Sequence, residues 1–366
     1  MHIYYIGYGG SMSIKQISEM TGASLSTVSR VLNDPNHKCA DENMRKKIFD
    51  AARILNYVPN ENARGLKSGI AAEKRIYYID ILLTRDESDP FFNELLRIAE
   101  VYAHNNMFVI RHILHNRIFS DFRRCKFENI SKIVDDMCRT DEKPADGLMV
   151  FGKTDRSVIT ELYRYYRNII SLSRNYEDLN VDELICDGNR NTRLAIEHLV
   201  SLGHRKIAYA GNAENESRYD GYLKTLLNFG IMHNLRYVFE CPAEFEKGID
   251  AFDYFRNLAD PPTAVYCSND IIALGMLKSL SRNSKKWHYQ PSVISSDDID
   301  EAQYSTPMLT TVRLPKEEMI RFAFVLLKDR ILGLHKTVLK MEFCGSLIIR
   351  ESTRPVGETM ECEYYI

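Results

Sequence analysis

The sequence predicts an α/β protein in two parts. An N-terminal three-helix helix-turn-helix unit with a hinge is followed by a two-subdomain core of parallel sheets flanked by helices. Three observations predict it. Two short helical periods separated by a tight turn open the organised chain, and a third helical period supplies the apolar residues that close their core. From about residue 75 the pattern changes to short apolar runs alternating with amphipathic segments. At 366 residues the chain is longer than one hydrophobic core usually supports, which agrees with a division.

Residues 1–11 are aromatic and Gly-rich without helical periodicity, and Met12 stands directly before the first organised segment. They are read as an extension that need not be native, with translation starting at Met12. Ser13 is the expected cap of a first helix in which Ile14, Ile17 and Met20 share a face and which Gly22 ends. Ser24 caps a second helix, Leu25–Leu32, with Val28, Val31 and Leu32 inward. Asp41 caps a third, with Met44, Ile48, Ala51, Ala52 and Leu55 at three-to-four spacing. The outward side of the second helix carries Ser24, Ser26, Thr27, Ser29 and Arg30. Short hydroxylated side chains let a helix approach a phosphate backbone closely, and an arginine can fork onto guanine. An ordinary polar helix face would look the same.

Charge points weakly in the same direction. The net charge is −2, but residues 1–68 carry nine Lys/Arg against six Asp/Glu, leaving 39 against 44 in the rest. A basic head on an acidic body suits a polyanionic partner. The eight cysteines are scattered with no close pair, a pattern of reduced thiols and of neither a zinc site nor a disulfide framework. No apolar run approaches the ~18–20 residues of a membrane span. The first residues lack the basic segment and apolar core of a secretion signal, so a cytoplasmic protein is expected.

Beyond the polar stretch Lys67–Lys74, strand-like runs fall at Arg75–Thr84, Met107–Leu114, Gly147–Phe151, Asn168–Leu172, Lys206–Ala210, Ala264–Cys267 and Ser292–Ser295. Helical segments fall at Phe91–His104, Arg193–Leu202, Tyr219–Phe229, Gly248–Leu258 and Asp270–Leu280. Ligands of such folds bind beyond the carboxyl ends of the strands. That rule selects Asp89, Phe91, Lys153, Arg174, Arg218, Asn269 (with Asp270) and Asp297 (with Asp298). Carboxylates, an amide, guanidinium groups and a ring together suit a polyhydroxylated ligand. Taken singly each is as well a loop or cap residue, and Asn269-Asp270 can simply cap the next helix. His204, in a Gly-His-Arg-Lys turn, is read as structural.

The run Ser26-Thr27-Val28-Ser29-Arg30-Val31-Leu32-Asn33 resembles the headpiece of the lactose-repressor family. Asn56-Tyr57-Val58-Pro59-Asn60 and Asn62-Ala63-Arg64-Gly65-Leu66 resemble its hinge. Asp89-Pro90-Phe91-Phe92, Asp146-Gly147-Leu148-Met149, Arg218-Tyr219-Asp220-Gly221-Tyr222 and Asn269-Asp270-Ile271-Ile272-Ala273 resemble blocks of its sensor domain. The likeness runs from Met12 to about Pro355. It implies a headpiece over 12–59, a hinge helix over 60–70, a periplasmic-binding-protein-like effector and dimerisation domain over 74–355, and a tail over 356–366.

The resemblance further implies that Leu25, Ser26 and Arg30 face bases and Ser24, Thr27, Ser29 and Asn33 face phosphates. Asn62 and Arg64 fall in the DNA-contacting hinge, where Leu66 would wedge into the minor groove. Gly65 lies inside that hinge helix at a cost of ~1 kcal/mol relative to alanine, so the hinge is expected to become helical only on DNA. Arg218, Asn269 and Asp297 match effector-holding positions. Ser295-Ser296-Asp297 stands where the family usually has a Gly-Phe-Asp-like segment, which alters the pocket, and Phe151-Gly152-Lys153 resembles galactoside-responsive members.

The expected protein is therefore a homodimeric regulator, most simply a repressor. It binds pseudo-palindromic double-stranded operator DNA and answers to a small sugar-like effector, with no cofactor and no metal. A purine or protein co-effector is the alternative within this class, and a solute-binding protein lies outside it. No phosphate loop, nucleophile elbow or metal-ligand cluster suggests an enzyme.

Overall fold

The computed structural model describes residues 14–33, 42–55, 75–84, 89–139, 143–173, 179–214, 216–283 and 289–358. The chain divides into two compact units, residues 1–75 and 76–366.

The first unit contains α1 (Ile14–Thr21), α2 (Leu25–Asn33) and α3 (Glu42–Ile54). Ile17, Val28, Val31, Ile48, Ala51 and Ala52 form its core, with Ile14, Leu32, Met44 and Leu55 packed against it. Gly22 adopts φ +71°, a left-handed conformation that ends α1 and sends its N–H back to Ser18 O at 2.9 Å. Met20 departs from expectation: it is 54% exposed. Three residues on from Ile17 it lies about 60° around a 3.6-residue helix, on a side that no other helix among the described residues covers. The expected caps Ser13 and Asp41 lie outside the described residues, as do residues 1–11 and the hinge.

The second unit contains two six-stranded sheets. Its first sheet joins β1 (Tyr77–Leu83), β2 (Phe108–His115), β3 (Gly147–Phe151), β4 (Ile169–Ser173), β5 (Asp182–Cys186) and a late strand, β11 (Lys340–Phe343), in the order β11-β5-β4-β3-β1-β2. All its pairs are parallel. The second sheet joins β6 (Ile207–Gly211), β7 (Val238–Glu240), β8 (Ala264–Cys267), β9 (Ser292–Asp297), β10 (Thr310–Arg313) and β12 (Ser346–Ile348), in the order β12-β10-β9-β8-β6-β7. The expectation of parallel pairing fails at one place: β12 runs antiparallel to β10.

Helices cover both faces of each sheet, which is why β3, β4, β6 and β8 are buried along their whole length and read as unbroken apolar runs. The first sheet is flanked by α4 (Pro90–Asn105), α5 (Phe122–Cys125), α6 (Ile130–Cys138), α7 (Arg156–Leu162) and, from far along the chain, α12 (Lys316–Ile331). Phe324 and Leu327 of α12 share a core with Ile79, Ile81, Phe92 and Met149. The second sheet is flanked by α8 (Gly188–Ser201), α9 (Ser217–Asn228), α10 (Phe245–Arg256) and α11 (Asp270–Asn283).

The chain passes between the sheets three times: from β5 into α8, from β10 into α12, and from β11 into β12. Asn191 of α8 ties the first passage to the third. Its Oδ1 accepts the Gly345 N–H at 3.2 Å, and a Cβ at Gly345 would stand 2.5 Å from that oxygen. His204 behaves as a structural residue. It is buried, its Nδ1 lies 2.9 Å from Thr263 Oγ1, and its Nε2 lies 2.9 Å from the Arg354 carbonyl, which requires the proton on Nε2. Cys125, Cys138, Cys186, Cys241, Cys267 and Cys344 are free thiols; Cys39 and Cys362 lie outside the described residues.

Helices α10 and α11 meet through glycines. A Cβ on Gly248 would lie 2.0 Å from Ile272 O, and one on Gly275 would lie 1.9 Å from Phe245 O. Backbone cannot yield as a side chain does, so Gly275→Ala should lower stability by about 1–3 kcal/mol. A shift of the urea midpoint measures it, and a variant as stable as the parent would show that the helices separate freely.

Candidate functional site

In the first unit, Ser24 Oγ accepts the Thr27 N–H at 3.2 Å and lies 2.8 Å from both Ser26 Oγ and Thr27 Oγ1, so a hydroxyl cluster caps α2. Leu25 is 53% exposed, Ser26 and Arg30 are exposed, and Thr27 and Ser29 are half-buried. These side chains form one polar surface beside an open leucine. The Asn33 side chain, Asn62, Arg64 and Leu66 lie outside the described residues.

In the second unit the three passages leave from the carboxyl ends of β5, β10 and β11. Those ends of the two sheets therefore confront each other, and the residues just past them line the space between. On the side of the second sheet, Arg218 is the centre. Its Nε donates to Glu216 Oε1 at 2.8 Å, its Nη2 to Glu216 Oε2 at 2.9 Å, and its Nη1 to Ser268 O at 2.6 Å. Burial works against the charge on Arg218, but Glu216 and then Asp297 outweigh it and hold the guanidinium firmly protonated. Asn269 is buried and its Oδ1 accepts the Ile272 N–H at 3.2 Å, so it caps α11 as well as ending β8.

Asp297 and Asp298 have φ of 127° and 49°, two successive left-handed residues at the end of β9. Asp298 is clamped by Arg313 Nε at 2.6 Å and Arg350 Nη2 at 2.7 Å. Lys316, buried at the start of α12, donates to Asp298 O at 3.1 Å and pairs with Glu94 of α4, so it joins the two subdomains. A hollow of about 230 Å³ opens beside it, lined by Glu94, Asp298, Gln303, Arg313 and Arg350 among others. A second bridge crosses from α5, where Arg123 Nη2 lies 2.5 Å from Glu214 Oε1 in the loop after β6.

On the side of the first sheet, Asp89 caps α4 by accepting the Phe91 N–H at 3.1 Å. Lys153 is half-buried after Gly152, whose φ is 106°, and its carbonyl accepts the Thr84 hydroxyl at 2.7 Å. Arg174 lies outside the described residues. Phe91 corrects the sequence reading: instead of offering an open ring to a ligand it is 2% exposed. Placed in the first turn of α4, it turns into the core shared with α12, and Lys316 Nζ sits 5.5 Å from its ring centroid.

The family description "Bacterial regulatory proteins, lacI family" matches residues 13–60, and "Periplasmic binding protein-like domain" matches residues 196–353. The repressor CytR of Escherichia coli (strain K12) is 29% identical over 350 residues, 93% of this chain and 96% of the relative. A LacI family regulator from Enterococcus faecium, solved with bound ribose, is 25% identical with a TM-score of 0.60, over 76% of this chain and 99% of that one. The lac repressor dimer, solved bound to operator and the anti-inducer ONPF, shares the fold with a TM-score of 0.61 at 21% identity, over 94% of this chain and 100% of that one.

The chain carries a lacI-family regulatory domain and a periplasmic-binding-protein-like domain, and its relatives are lacI-family repressors. It is a DNA-binding transcriptional repressor of a family whose members are regulators without enzymatic activity and act as dimers on operator DNA with small-molecule effectors. Among the described residues of this lacI-family repressor no helix is long and apolar enough to cross a membrane, and no cluster of side chains is suited to a metal ion.

The sequence reading passed over Lys316 with Glu94 and Arg123 with Glu214 because each pair joins residues far apart in the chain, and it passed over Glu216 although Arg218 lies only two residues on. Helix α12 did carry a signal, since Met319, Ile320, Ala323, Phe324 and Leu327 repeat at helical spacing. Asp270, noted only beside Asn269, proves to be a buried carboxylate. Its Oδ1 accepts Ser295 Oγ and Thr311 Oγ1, each at 2.6 Å, and its Oδ2 accepts the Ile299 N–H at 2.8 Å. Of the two serines standing in the Gly-Phe-Asp position, Ser295 is a donor to Asp270 and Ser296, in the place of the aromatic, lies 3.1 Å from the Tyr266 hydroxyl.

Burial, and then the charge of Asp297, push the Asp270 carboxyl up to about 7 against those three donors. Between the ordinary carboxylate range and that value the folded repressor keeps a proton that the unfolded chain releases. Its stability should therefore fall as pH rises through this window and level off above it. Urea midpoints at about pH 5 and about pH 8 should show that slope in the parent and lose it in Asp270→Asn; an unchanged slope in the variant would assign it to other groups.

Proposed function

We propose that this repressor controls carbohydrate-utilisation genes from the cytoplasm, as a homodimer on a pseudo-palindromic operator, under a small sugar-like effector held between its subdomains. The observation that carries the sugar reading is the meeting of Arg218, Asn269 and Asp297 at the carboxyl ends of the second sheet. A guanidinium, an amide and a carboxylate supply the mixed donors and acceptors that vicinal hydroxyls need. The related Enterococcus faecium regulator, with ribose bound, supports the same class. Asp89, Lys153 and Arg174 would complete the site from the first sheet; Phe91 would shape it only from behind.

On DNA, Leu25, Ser26 and Arg30 would meet base edges while Ser24, Thr27, Ser29 and Asn33 meet phosphates, with Asn62, Arg64 and Leu66 following into the minor groove. Two copies are needed because one headpiece makes few contacts, and the two-fold axis sets the half-site spacing. Tyr304 is 79% exposed beside Ile271, Leu274 and Leu277, around a hollow of about 600 Å³, an apolar face that a second copy would cover. Effector binding would alter the angle between subdomains, through the Lys316 and Arg123 bridges, and hence the pairing of the hinges; the coupling is reciprocal.

The purified protein should bind its own upstream DNA, and one member of a panel of mono- and disaccharides should shift that affinity about tenfold or more, ~1.4 kcal/mol of coupling. Asp297→Asn, whose side chain tolerates the same positive φ, should keep operator binding and lose most of the shift. Arg30→Ala should weaken the operator complex by about 1–3 kcal/mol and relax preference at one base pair. Operator binding that no sugar changes would leave the repressor without this effector class.

A further inference from the structure

Resting on the reading of a sugar-like effector between the subdomains, we propose that Glu216 is the specificity-determining residue of that site. Its carboxylate is a built-in counter-ion that occupies the place of an anionic effector group, so the cleft accepts uncharged polyhydroxylated effectors and rejects phosphorylated or carboxylated ones.

Two features of this wall would ordinarily attract an anion: the fork of an arginine and the N-terminus of a helix. Glu216 satisfies both. Its two oxygens take Arg218 Nε and Nη2 at 2.8 and 2.9 Å in the paired geometry by which a guanidinium binds any carboxylate or phosphate. The same carboxylate accepts the Arg218 N–H at 3.4 Å, capping the twelve-residue α9. The pair is sealed, with side-chain exposures of 8% for Arg218 and 4% for Glu216. A third guanidinium nitrogen is committed to the Ser268 carbonyl at 2.6 Å.

Beyond those bonds, Nη1 and Nη2 each keep one further N–H. That suits single hydrogen bonds to hydroxyl oxygens and not the fork that a phosphate or carboxylate takes. An anionic group could claim the fork only by displacing Glu216, which would leave a buried carboxylate without its counter-ion. The neighbours add to the bias. Asp297 acts on Arg218 through its charge, so a second carboxylate besides Glu216 lies within electrostatic reach of this guanidinium. A hydroxyl meets none of these penalties. Discrimination of this kind is built from a repulsive element as much as an attractive one.

The test uses matched pairs on the full-length protein: glucose with glucose 6-phosphate and glucuronate, and ribose with ribose 5-phosphate, with galactose and its 6-phosphate. Calorimetry and operator affinity are read in parallel. The expected result is that any neutral sugar that binds does so at least about tenfold more tightly than its charged partners. In Glu216→Gln the gap should close or reverse, and inorganic phosphate should compete with the sugar; in Glu216→Asp, which keeps the charge, rejection should persist. Should Glu216→Gln fail to fold, the parent protein still decides, because competition by millimolar inorganic phosphate there would overturn the proposal. A charged sugar that binds the parent as tightly as its neutral partner would also overturn it, while leaving sugar sensing intact. A panel in which nothing binds would remove the sugar reading and this inference together.

Discussion

Everything in the sensor domain depends on the chain crossing between its two sheets three times, each time leaving from the carboxyl end of a strand. A single linker would let the subdomains drift. Three adjacent linkers restrict them to a small set of rotations and keep the carboxyl ends of both sheets facing each other. Polar residues beyond strand ends then converge whatever their separation in sequence. Asn191, bonding Gly345 across two of the passages, shows how little room the crossing leaves.

That constraint puts charge where charge is expensive, and the chain meets it by pairing. Arg218 is buried with Glu216, Asp182 with Arg330 and His335, and Lys316 with Glu94. Such pairs stabilise a fold less than apolar residues of similar volume would, but removing one partner is severe. They act chiefly as fixed points. Arg218–Glu216 sets the shape of the cleft wall. Lys316 ties the strained Asp297–Asp298 turn, which ends in the candidate effector site, to α4 of the other subdomain. A residue at φ 127° is held by its surroundings, so a ligand touching Asp297 acts on a backbone that is already under tension.

Much of this was readable in advance. The helix-turn-helix showed in Val28, Val31, Ile48 and Ala51, because a small bundle leaves few ways to bury four apolar residues at helical spacing. Strands such as Gly147–Phe151 and Ala264–Cys267 showed because a strand covered on both faces must be apolar throughout. The rule that ligands lie beyond carboxyl ends selected Arg218, Asn269 and Asp297, since it depends only on where strands stop. Phe91 was misread for the same reason: the rule gives position along the chain and says nothing of rotation about a helix axis. Strands β11 and β12 and helix α12 escaped notice, because three- and four-residue strands carry little pattern and an amphipathic helix does not announce which sheet it will cover.

By itself, then, the sequence determined the two-part division, the kind of fold, the polar face of α2 and the identity of the residues at the strand ends. All of these follow from local periodicity and from side-chain chemistry within a few residues. Tertiary structure alone decided that Glu216 neutralises Arg218, that Lys316 reaches from one subdomain to the other, that Asp270 is sealed from water and that β12 runs backwards. The physical reason is that Lys316, Asp270 and β12 meet partners distant in the chain, while Glu216 and Arg218, though two residues apart, matter through their shared burial; the energy of a buried charge depends on its neighbours in space, which periodicity does not record.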